Sequence, residues 1–323
     1  KGRTPTSGAG PADAFSPEVV FLDLPILGAG EAGDFARVAA FARPWRAMVV
    51  SSSDSSEGFR ARARLDRPAK LGWLAAPLAP GVVGRFDPGR DIVLDLAAGG
   101  LSAVDTVTML NGANRLAVRA PDGGWEIVGF AGASEIAPRR WRLTQLLRAL
   151  HGTEDAMAGG HLSGALAVVL DDAVRPLGID AEEVGRLSNW LVEALGASGG
   201  QAGPFAFAGG ERALRPLSPV HLRGRRGVDG AVRFSWVRRG RIDSDTWLAA
   251  EIPLDEPTEA YRLEILAGGA VVRSVETTAP AFTYPAASEF ADFGGPQATL
   301  AIRVRQLGRA VPLGIPAEAI LTL

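Results

Sequence analysis

The sequence predicts a mainly β protein, and three observations support this class. The 323 residues include 40 Gly and 22 Pro, which break helices and separate short strands. After residue 230, segments that alternate apolar and polar residues follow one another at short intervals. A Pro-Asp-Gly-Gly turn at 121–124 joins two further segments of this kind, as in a β-hairpin. With 47% hydrophobic residues, the chain can bury the cores of two or three domains.

Three ranges are predicted along the chain. Residues 1–14 are polar and rich in Gly and Pro, which is typical of a linker. Residues 15–205 form a β-rich region, and residues 213–323 form a separate β-sandwich of about 100 residues. Gly- and Ala-rich residues at 197–212 mark the boundary between them. The polar start without Met favours a piece of a longer protein over a natural N-terminus.

Within the first region, the clearest element is the hairpin over residues 114–136, where Leu116, Val118, Trp125 and Ile127 alternate with other residues. Residues 90–104 are expected to hold two strands around a Gly-Gly turn. Single strands are predicted at 19–27, 44–53 and 164–172.

Helices are predicted at three places. Residues 34–42 form a short one. Residues 141–154 carry a stripe at helical spacing and end at Gly152, which can adopt a left-handed cap. That stripe consists of Leu143, Leu146, Leu147 and Leu150. In residues 181–196, helical spacing places Val184, Leu187, Leu191 and Leu195 on one face.

The last range has six predicted strands, at 231–239, 261–269, 270–278, 281–286, 298–308 and 318–323. In the first of them, Phe234 and Trp236 point to one face while Arg233 and Ser235 point to the other. Trp236 is therefore expected in the core of the sandwich.

The candidate acid–base pair is His151 with Glu154, in the sequence HGTED. A helix end explains the same residues, because a cation suits the last turn and Gly152 can end it. The structural interpretation is favoured. A zinc site is disfavoured, since His151 and His161 are ten residues apart, His221 is distant, and no further ligand is patterned nearby.

Other polar clusters also fall short of a site. Asp171 and Asp172 are adjacent on a strand and point to opposite faces. The acidic residues within 243–245 and 254–257 lack the ligand pattern of a Ca²⁺ loop. Residues 28–33 have G-x-G-x-x-G spacing without the βαβ unit that a dinucleotide needs, and the Ser-rich residues 50–58 lack a nucleophile elbow. The sequence thus predicts no catalytic, cofactor-binding or metal-ligating residue.

The net charge and the cysteine content limit which classes of partner the chain is expected to bind. The net charge is −2, so the whole chain has no basic field to hold nucleic acid, although local patches are possible. The basic runs 221–227 and 237–241 form one such patch, which could bind nucleic acid, protect a sheet edge or pair with a neighbouring subunit. There is no Cys and no apolar run long enough for a membrane span.

The order of several motifs resembles a known family. DLPIL, PW..MVVSSS, NGAN, DGGWEIVGF, LLRALHGTE, LRPLSPVHLRG and SWVRRGRID occur in this sequence over about residues 20–323. Together they resemble the C-terminal part of tail-tip or baseplate hub proteins of long-tailed siphophages, and most of all the large baseplate protein of gene transfer agents. Ala149 departs from the family's form, which has Gly there. In the last third the chain is similar to a fibronectin type III domain, with Trp236 as the early core tryptophan. Tyr284 is not at the usual tyrosine position, where Ile302 and Val304 stand.

This resemblance implies a structural role. Such hubs are typically homotrimers at the distal end of the tail, in contact with other tail or baseplate proteins. They link the tail tube to host-contacting parts and gate DNA exit without specific DNA binding. A hydrolase domain would lie upstream, so this part is expected to have no enzymatic activity and no cofactor, and to reside in the particle's tail tip. Hub proteins also tend to be β-rich where residues 181–196 fall, which opposes a helix there.

Two other functions remain open from the sequence. The chain could be a secreted carbohydrate-binding or carbohydrate-active protein, with Trp73 or Trp247 as an exposed sugar platform, although aromatic residues more often pack in cores. It could also be a nucleic-acid-binding module through the arginines at 221–241, with strongly salt-dependent affinity.

Overall fold

In the computed structural model, the described residues are 15–28, 35–196, 200–242 and 251–323. Strand residues make up 45% and helix residues 8%, so the predicted mainly β class is confirmed. The first part of the chain contains β1 (Glu18–Leu22), β2 (Arg37–Phe41), β3 (Met48–Ser53), β4 (Arg60–Leu65), β5 (Leu71–Leu74), β6 (Ile92–Leu96), α1 (Thr106–Leu110), β7 (Arg115–Arg119), β8 (Trp125–Ala137), β9 (Arg140–Leu150), α2 (Glu154–Ala158), β10 (Leu166–Val169), β11 (Arg175–Pro176), β12 (Ser188–Ala194) and β13 (Gln201–Phe207).

The second part begins with a short connection. It contains α3 (Glu211–Leu214), β14 (Val220–Arg226), β15 (Val232–Val237), β16 (Tyr261–Ala267), β17 (Ala270–Thr277), β18 (Ala281–Tyr284), α4 (Ala286–Phe293), β19 (Thr299–Gln306) and β20 (Ala317–Thr322).

A closed barrel of six antiparallel strands, in the order β10-β5-β6-β9-β8-β7, forms the centre of the first part. Its interior is filled by apolar side chains such as Leu94, Leu116, Val128, Phe130 and Leu143, all with no exposed surface. The predicted hairpin is confirmed, because β7 pairs with β8 across the Pro-Asp-Gly-Gly turn. A closed barrel has no free sheet edge, so these strands need no further pairing partner.

Two open sheets are layered on the outside of this barrel. The sheet β1-β2-β11 lies next to it, and the sheet β13-β12-β3-β4 covers the far side of β2. Alternate residues of β2 point to opposite sides of the strand. Ala39 packs towards the barrel, whereas Val38 and Ala40 pack towards the outer sheet. This strand is therefore apolar on both faces, as buried strands are.

The C-terminal part is a β-sandwich of a three-stranded sheet, β14-β15-β18, and a four-stranded sheet, β17-β16-β19-β20. Its core holds Phe234, Trp236, Tyr261 and Tyr284, and the Trp236 and Tyr261 rings meet edge to face with centroids 5.3 Å apart. The predicted sandwich and the core position of Trp236 are confirmed. Helix α4 was not predicted. The assignment to the fibronectin type III family stays a prediction.

The predicted helix over residues 141–154 is wrong, because residues 140–150 form strand β9 and only residues 154–158 are helical. Left-handed backbone at Gln145 (φ 53°) and Ala149 (φ 52°), with a register shift opposite β8, interrupts the alternation of the strand. Buried side chains therefore recur at three-residue spacing, as at Leu143 and Leu146, which imitates a helix. As a strand, the segment pairs with β8, the strand of the hairpin that begins at Trp125.

The other two predicted helices are also strands. Residues 37–41 form β2, whose two buried faces hide the period of two. Residues 188–194 form β12, in which Trp190 and Val192 alternate into the core, whereas Leu187 is 69% exposed and Leu195 is 41% exposed. The helical face proposed for residues 181–196 does not exist.

Two further expectations need correction. Residues 90–104 contain one strand, β6, because residues 101–104 have no strand pairing. Residues 197–212 are not only a connection, since Gln201–Phe207 pair with β12 as an edge strand. The linker predicted at 1–14 lies outside the described residues.

Candidate functional site

The predicted acid–base pair lies at the junction between the barrel and the sandwich. His151 follows β9 with a left-handed φ of 56°, and Glu154 is the first residue of α2. The Glu154 carboxylate accepts hydrogen bonds from Arg239 of the sandwich, with Nη1 at 2.6 Å and Nη2 at 3.1 Å. Because both carboxylate oxygens are held by one guanidinium, Glu154 ties two parts of the chain together and is not presented as a general acid or base.

A second bidentate pair reinforces this junction. Arg212 of α3 donates to Asp155 through Nη1 at 2.6 Å and Nη2 at 2.8 Å, and Nη2 also reaches the Gly152 carbonyl at 2.8 Å. Burial raises the pKa of Asp155, but the hydrogen bond and charge of Arg212 outweigh burial and hold this pKa below its usual range. Asp155 therefore stays ionised at neutral pH.

Gly152 lets the chain approach the sandwich closely. Its φ is +78°, and a Cβ atom there would lie 2.5 Å from Leu217 Cδ2. Leu217 belongs to the connection between α3 and β14. The sequence HGTED is thus a docking segment in which Gly152, Glu154 and Asp155 each contact the second part of the chain.

A cavity of about 320 Å³ lies in this junction. It is lined by Pro25, Ile26, His151, Gly152, Arg212, Ala213, Leu217, Arg239, Gly240, Arg241 and Ile252. Arg212 and Arg239 have the carboxylate partners described above, and Arg241 donates to Glu256 at 2.8 Å. Each of these arginines thus has a carboxylate partner, while the Nη1 atom of Arg241 is buried without a hydrogen-bond partner among the described residues.

Asp23, which directly follows β1, fixes the start of α3. Its Oδ1 accepts from the Gly210 N–H at 2.8 Å and its Oδ2 accepts from the Arg212 N–H at 3.1 Å. Burial raises the pKa of Asp23 to about 6, against the lowering effect of these two hydrogen bonds. Asp23 is thus a carboxylate that changes charge near neutral pH where the first part meets the connection to the sandwich.

One end of the barrel is closed by a buried ionic cluster that the sequence analysis did not find. Glu126 of β8 accepts from Arg148 of β9, with Nε at 2.7 Å and Nη2 at 2.8 Å, and from the Ala149 N–H at 3.0 Å. The Nε2 atom of His161 lies 2.6 Å from Glu126 Oε2, the oxygen that Arg148 Nη2 also contacts. The side chains of Glu126, Arg148 and His161 have no exposed surface.

Hydrogen-bond geometry indicates which atoms of this cluster donate and which accept. The Nδ1 atom of His161 is 3.1 Å from the Arg119 carbonyl, which can only accept, so Nδ1 carries a proton. Burial raises the pKa of Glu126, but the hydrogen bonds from His161 and Arg148 outweigh it and hold this pKa below its usual range. Glu126 is therefore an ionised carboxylate that accepts hydrogen bonds from several buried donors.

Asp87 adds a second carboxylate to this cluster. Its carboxylate lies 3.6 Å from Arg148 Nη1, and its other oxygen accepts from Arg90 at 2.9 Å. Buried Arg148 and His161 thus lie against two buried carboxylates, Glu126 and Asp87. A buried ion pair is costly unless its charges are compensated in this way. Arg90 is 40% exposed, but the side chains of the other four residues have no exposed surface. Those four residues therefore stabilise the barrel end and do not contact a substrate.

Most of the other candidate residues are separated in the structure. Asp171 contacts Lys70 at 3.3 Å, whereas Asp172 contacts Arg67 at 2.7 Å, so the two carboxylates do not form a dyad. Of the Ser-rich residues, Ser51 and Ser52 are buried on β3, whereas residues 54–57 form an exposed turn in which Ser55 donates to the Glu57 carbonyl at 2.9 Å.

Histidines and aromatic candidates are likewise dispersed. His221 is exposed at a bulge in β14, and Trp73 is half-buried on β5. The acidic residues at 243–245, Trp247 and most of the glycine-rich residues 28–33 lie outside the described residues. Within the described ranges, no group of three or more His, Cys, Asp or Glu residues could hold a metal ion. No helix in the same ranges is long and apolar enough to cross a membrane.

Part of the chain is similar to a known protein family. Residues 69–168 match the family model described as Rcc01698-like, C-terminal. Rcc01698 is a gene transfer agent-associated protein. No curated protein matches the chain. Among solved structures, the chain is similar to the rat CD45 extracellular region, domains d3–d4, with 16% sequence identity and a TM-score of 0.25. That match covers 39% of this chain and 56% of that chain, and a similarity this weak carries no argument.

The matched residues coincide with the barrel. They begin just before β5 and end within β10, the first and last of its six strands in the chain. The buried ionic cluster and the docking segment HGTED both fall inside them. The part of the chain that is similar to the gene transfer agent-associated family is therefore one closed structural unit together with its attachment to the sandwich.

Proposed function

We propose that this chain is a structural component of a phage-like tail baseplate of the gene transfer agent type. In this proposal three copies form a hub at the distal end of the tail, which links the tail tube to host-contacting parts and gates DNA exit. The observation that carries the proposal is the match of residues 69–168 to the Rcc01698-like family. The matched residues have nearly the same boundaries as the barrel.

The described side chains support a structural role over a catalytic one. The strongest polar constellation, Glu126 with Arg148 and His161, is wholly buried. Glu154, the carboxylate of the predicted acid–base pair, is half-buried and held by Arg239. These groups stabilise the barrel and its attachment to the sandwich, which suits a part that must keep its shape while the particle assembles and attaches.

A trimer also suits the geometry of a tail. A contact between different surfaces of identical subunits forms a closed ring when the rotation between subunits closes, and three copies around the tail axis do so. The subunits would then surround the path of the DNA, and the near-neutral net charge of −2 avoids holding DNA tightly along that path.

The test is cryo-electron microscopy of tailed particles purified from cells that produce this protein. We expect the barrel and the sandwich to fit as one body, in three copies, into density at the distal tail tip. If the chain is missing from purified particles, or occupies a site away from the tail, the proposal is wrong.

A further inference from the structure

The outer face of the three-stranded sheet β14-β15-β18 is cationic. Arg223 and Arg225 of β14 and Arg233 of β15 are exposed on it, whereas Phe234 and Trp236 point into the core. The three strands read VHLRGRR, VRFSWV and AFTY, and none contains Asp or Glu. We call this surface, defined by Arg223, Arg225 and Arg233, the arginine face.

Two of these arginines oppose each other directly. Arg225 is the cross-strand partner of Arg233, and Arg223 is the partner of Ser235. Directly opposed residues have Cβ atoms about 5 Å apart, and like charges at that position destabilise a sheet. The fold therefore tolerates a local repulsion on this face.

Little within the chain offsets this repulsion. Arg233 contacts Asp229 at 2.9 Å, but the two side chains are 58% and 52% exposed, so the pair is worth little. Among the described residues, neither Arg223 nor Arg225 has a carboxylate partner within ion-pair distance. The face therefore has positive charge available for an external anion.

Protection of a sheet edge does not explain the whole set. Arg223 and Arg225 lie on an end strand of their sheet, where charged residues do block edge-to-edge pairing. Arg233, however, lies on the central strand β15, and it faces Arg225. A binding role accounts for all three arginines.

The rest of the face indicates what kind of anion fits. Between the arginines it presents Ser235, Ala281 and Thr283, and its exposed valines, Val228 and Val237, lie at opposite ends of β15. Protein interfaces have apolar, aromatic-rich centres, membrane docking needs a continuous apolar face, and single-stranded nucleic acid needs stacking aromatics. The phosphate backbone of a duplex needs only arginines and small hydroxyl donors.

We infer that the arginine face is a sequence-independent docking surface for the phosphate backbone of duplex DNA. Three arginines neutralise about three phosphates, so the logarithm of the binding constant should fall with the logarithm of salt concentration with a slope of about −3. Binding would be weak at physiological salt, which suits DNA that must move past the surface. DNA binding by this face does not depend on a trimer or on a tail. It can therefore be absent while the proposed function holds, and it can be present while the proposed function is wrong.

The test compares the whole chain with Arg223→Gln/Arg225→Gln in binding to a fluorescent 20-base-pair duplex, measured by anisotropy at several salt concentrations. We expect the double variant to lose about tenfold in affinity at low salt and its slope to become shallower by about two. The control Arg64→Gln/Arg140→Gln removes the same charge from two exposed arginines on other sheets and should bind within twofold of the unchanged chain.

Folding of the double variant is checked by its melting temperature, which should not fall, because a like-charge contact has been removed. Three results would overturn the inference. They are no binding of the unchanged chain at low salt, equal losses in the double variant and the control, or binding to vesicles of anionic lipid in preference to DNA.

Discussion

Arg239 of the sandwich donates two hydrogen bonds to Glu154 of the barrel region, at 2.6 and 3.1 Å. The two residues are 85 positions apart in the sequence, and their side chains are 24% and 27% exposed. This pair, together with Arg212 and Asp155, fixes the sandwich to the barrel. Glu154, first considered as a catalytic carboxylate, is therefore one of the residues that join the two parts.

The first prediction concerns this pair. In a double-mutant cycle with Glu154→Gln and Arg239→Gln, we expect a coupling of about 1 kcal/mol in the free energy of unfolding, because bidentate charge-assisted bonds at a half-buried site exceed ordinary surface pairs. Urea denaturation measures it. The matched control is the exposed pair Arg64 and Asp66, whose cycle should give a coupling near zero. Equal couplings in the two cycles would contradict the structural role of Glu154.

The second prediction concerns the buried cluster. Glu126→Gln should lower the free energy of unfolding by about 3–5 kcal/mol, because Arg148 and His161 lose their shared carboxylate at a site with no exposed surface. Chemical denaturation gives the value. Glu135→Gln changes an exposed glutamate of the same strand β8 and should cost less than about 0.5 kcal/mol. A loss below about 1 kcal/mol in Glu126→Gln would mean that the cluster is not assembled as described.

The third prediction is a pH dependence with a defined sign. The folded-state pKa of Asp23 is raised to about 6, above its ordinary value of 3.8. Between those two values the folded state binds more protons than the unfolded state, so the free energy of unfolding falls as pH rises. We expect the stability of the unchanged chain relative to Asp23→Asn to decrease as pH rises from 4 to about 6, and then to level off.

Denaturation midpoints of both proteins at each pH check this prediction. Asp172→Asn is the control, because Asp172 is 68% exposed in its pair with Arg67. Glu126 behaves in the opposite way: its pKa is lowered, so its contribution is present above about pH 4.5 and disappears in acid as pH falls through the folded-state pKa. A flat difference between the unchanged chain and Asp23→Asn over pH 4 to 6 would show that Asp23 is not buried as described.

The fourth prediction tests the close approach at Gly152. Gly152→Ala adds a Cβ to a left-handed residue and forces Leu217 to move, whereas Gly164→Ala adds one at a similar φ of +81° with open space around it. In both variants, backbone strain should lower the free energy of unfolding by about 1 kcal/mol. In Gly152→Ala, the contact with Leu217 should lower it by about 1 kcal/mol more. Shortening Leu217 to Ala should reduce that extra loss. Equal stabilities of the two glycine variants would argue against the packing of this segment on the sandwich.

The sequence predicted well where each strand has one buried face and a regular period. In β15 the inward positions of Phe234 and Trp236 followed directly from alternation, and the hairpin of β7 and β8 followed from its turn. It predicted poorly where tertiary structure changes the period. Strand β2 is buried on both faces, and β9 is interrupted at Gln145 and Ala149, so both imitate helices.

The buried cluster had a signal that alternation could have revealed. Glu126 shares its parity on β8 with Val128, which points into the barrel, so a charged residue was to be expected in the interior. Its partners could not be predicted, because Arg148 and His161 reach it only through the bulge in β9 and the loop before β10. The pairing of Glu154 with Arg239 depends on how the sandwich docks, which no local pattern specifies.

The central claim of the proposed function is a hub of three copies, and the mass of the assembly tests it most directly. Light scattering coupled to size-exclusion chromatography, or native mass spectrometry, should be performed on the full chain over a range of concentrations. The proposal predicts a species with three times the 33.7 kDa mass of one chain. A mass of one chain at every concentration, together with single-copy density in purified particles, would contradict it.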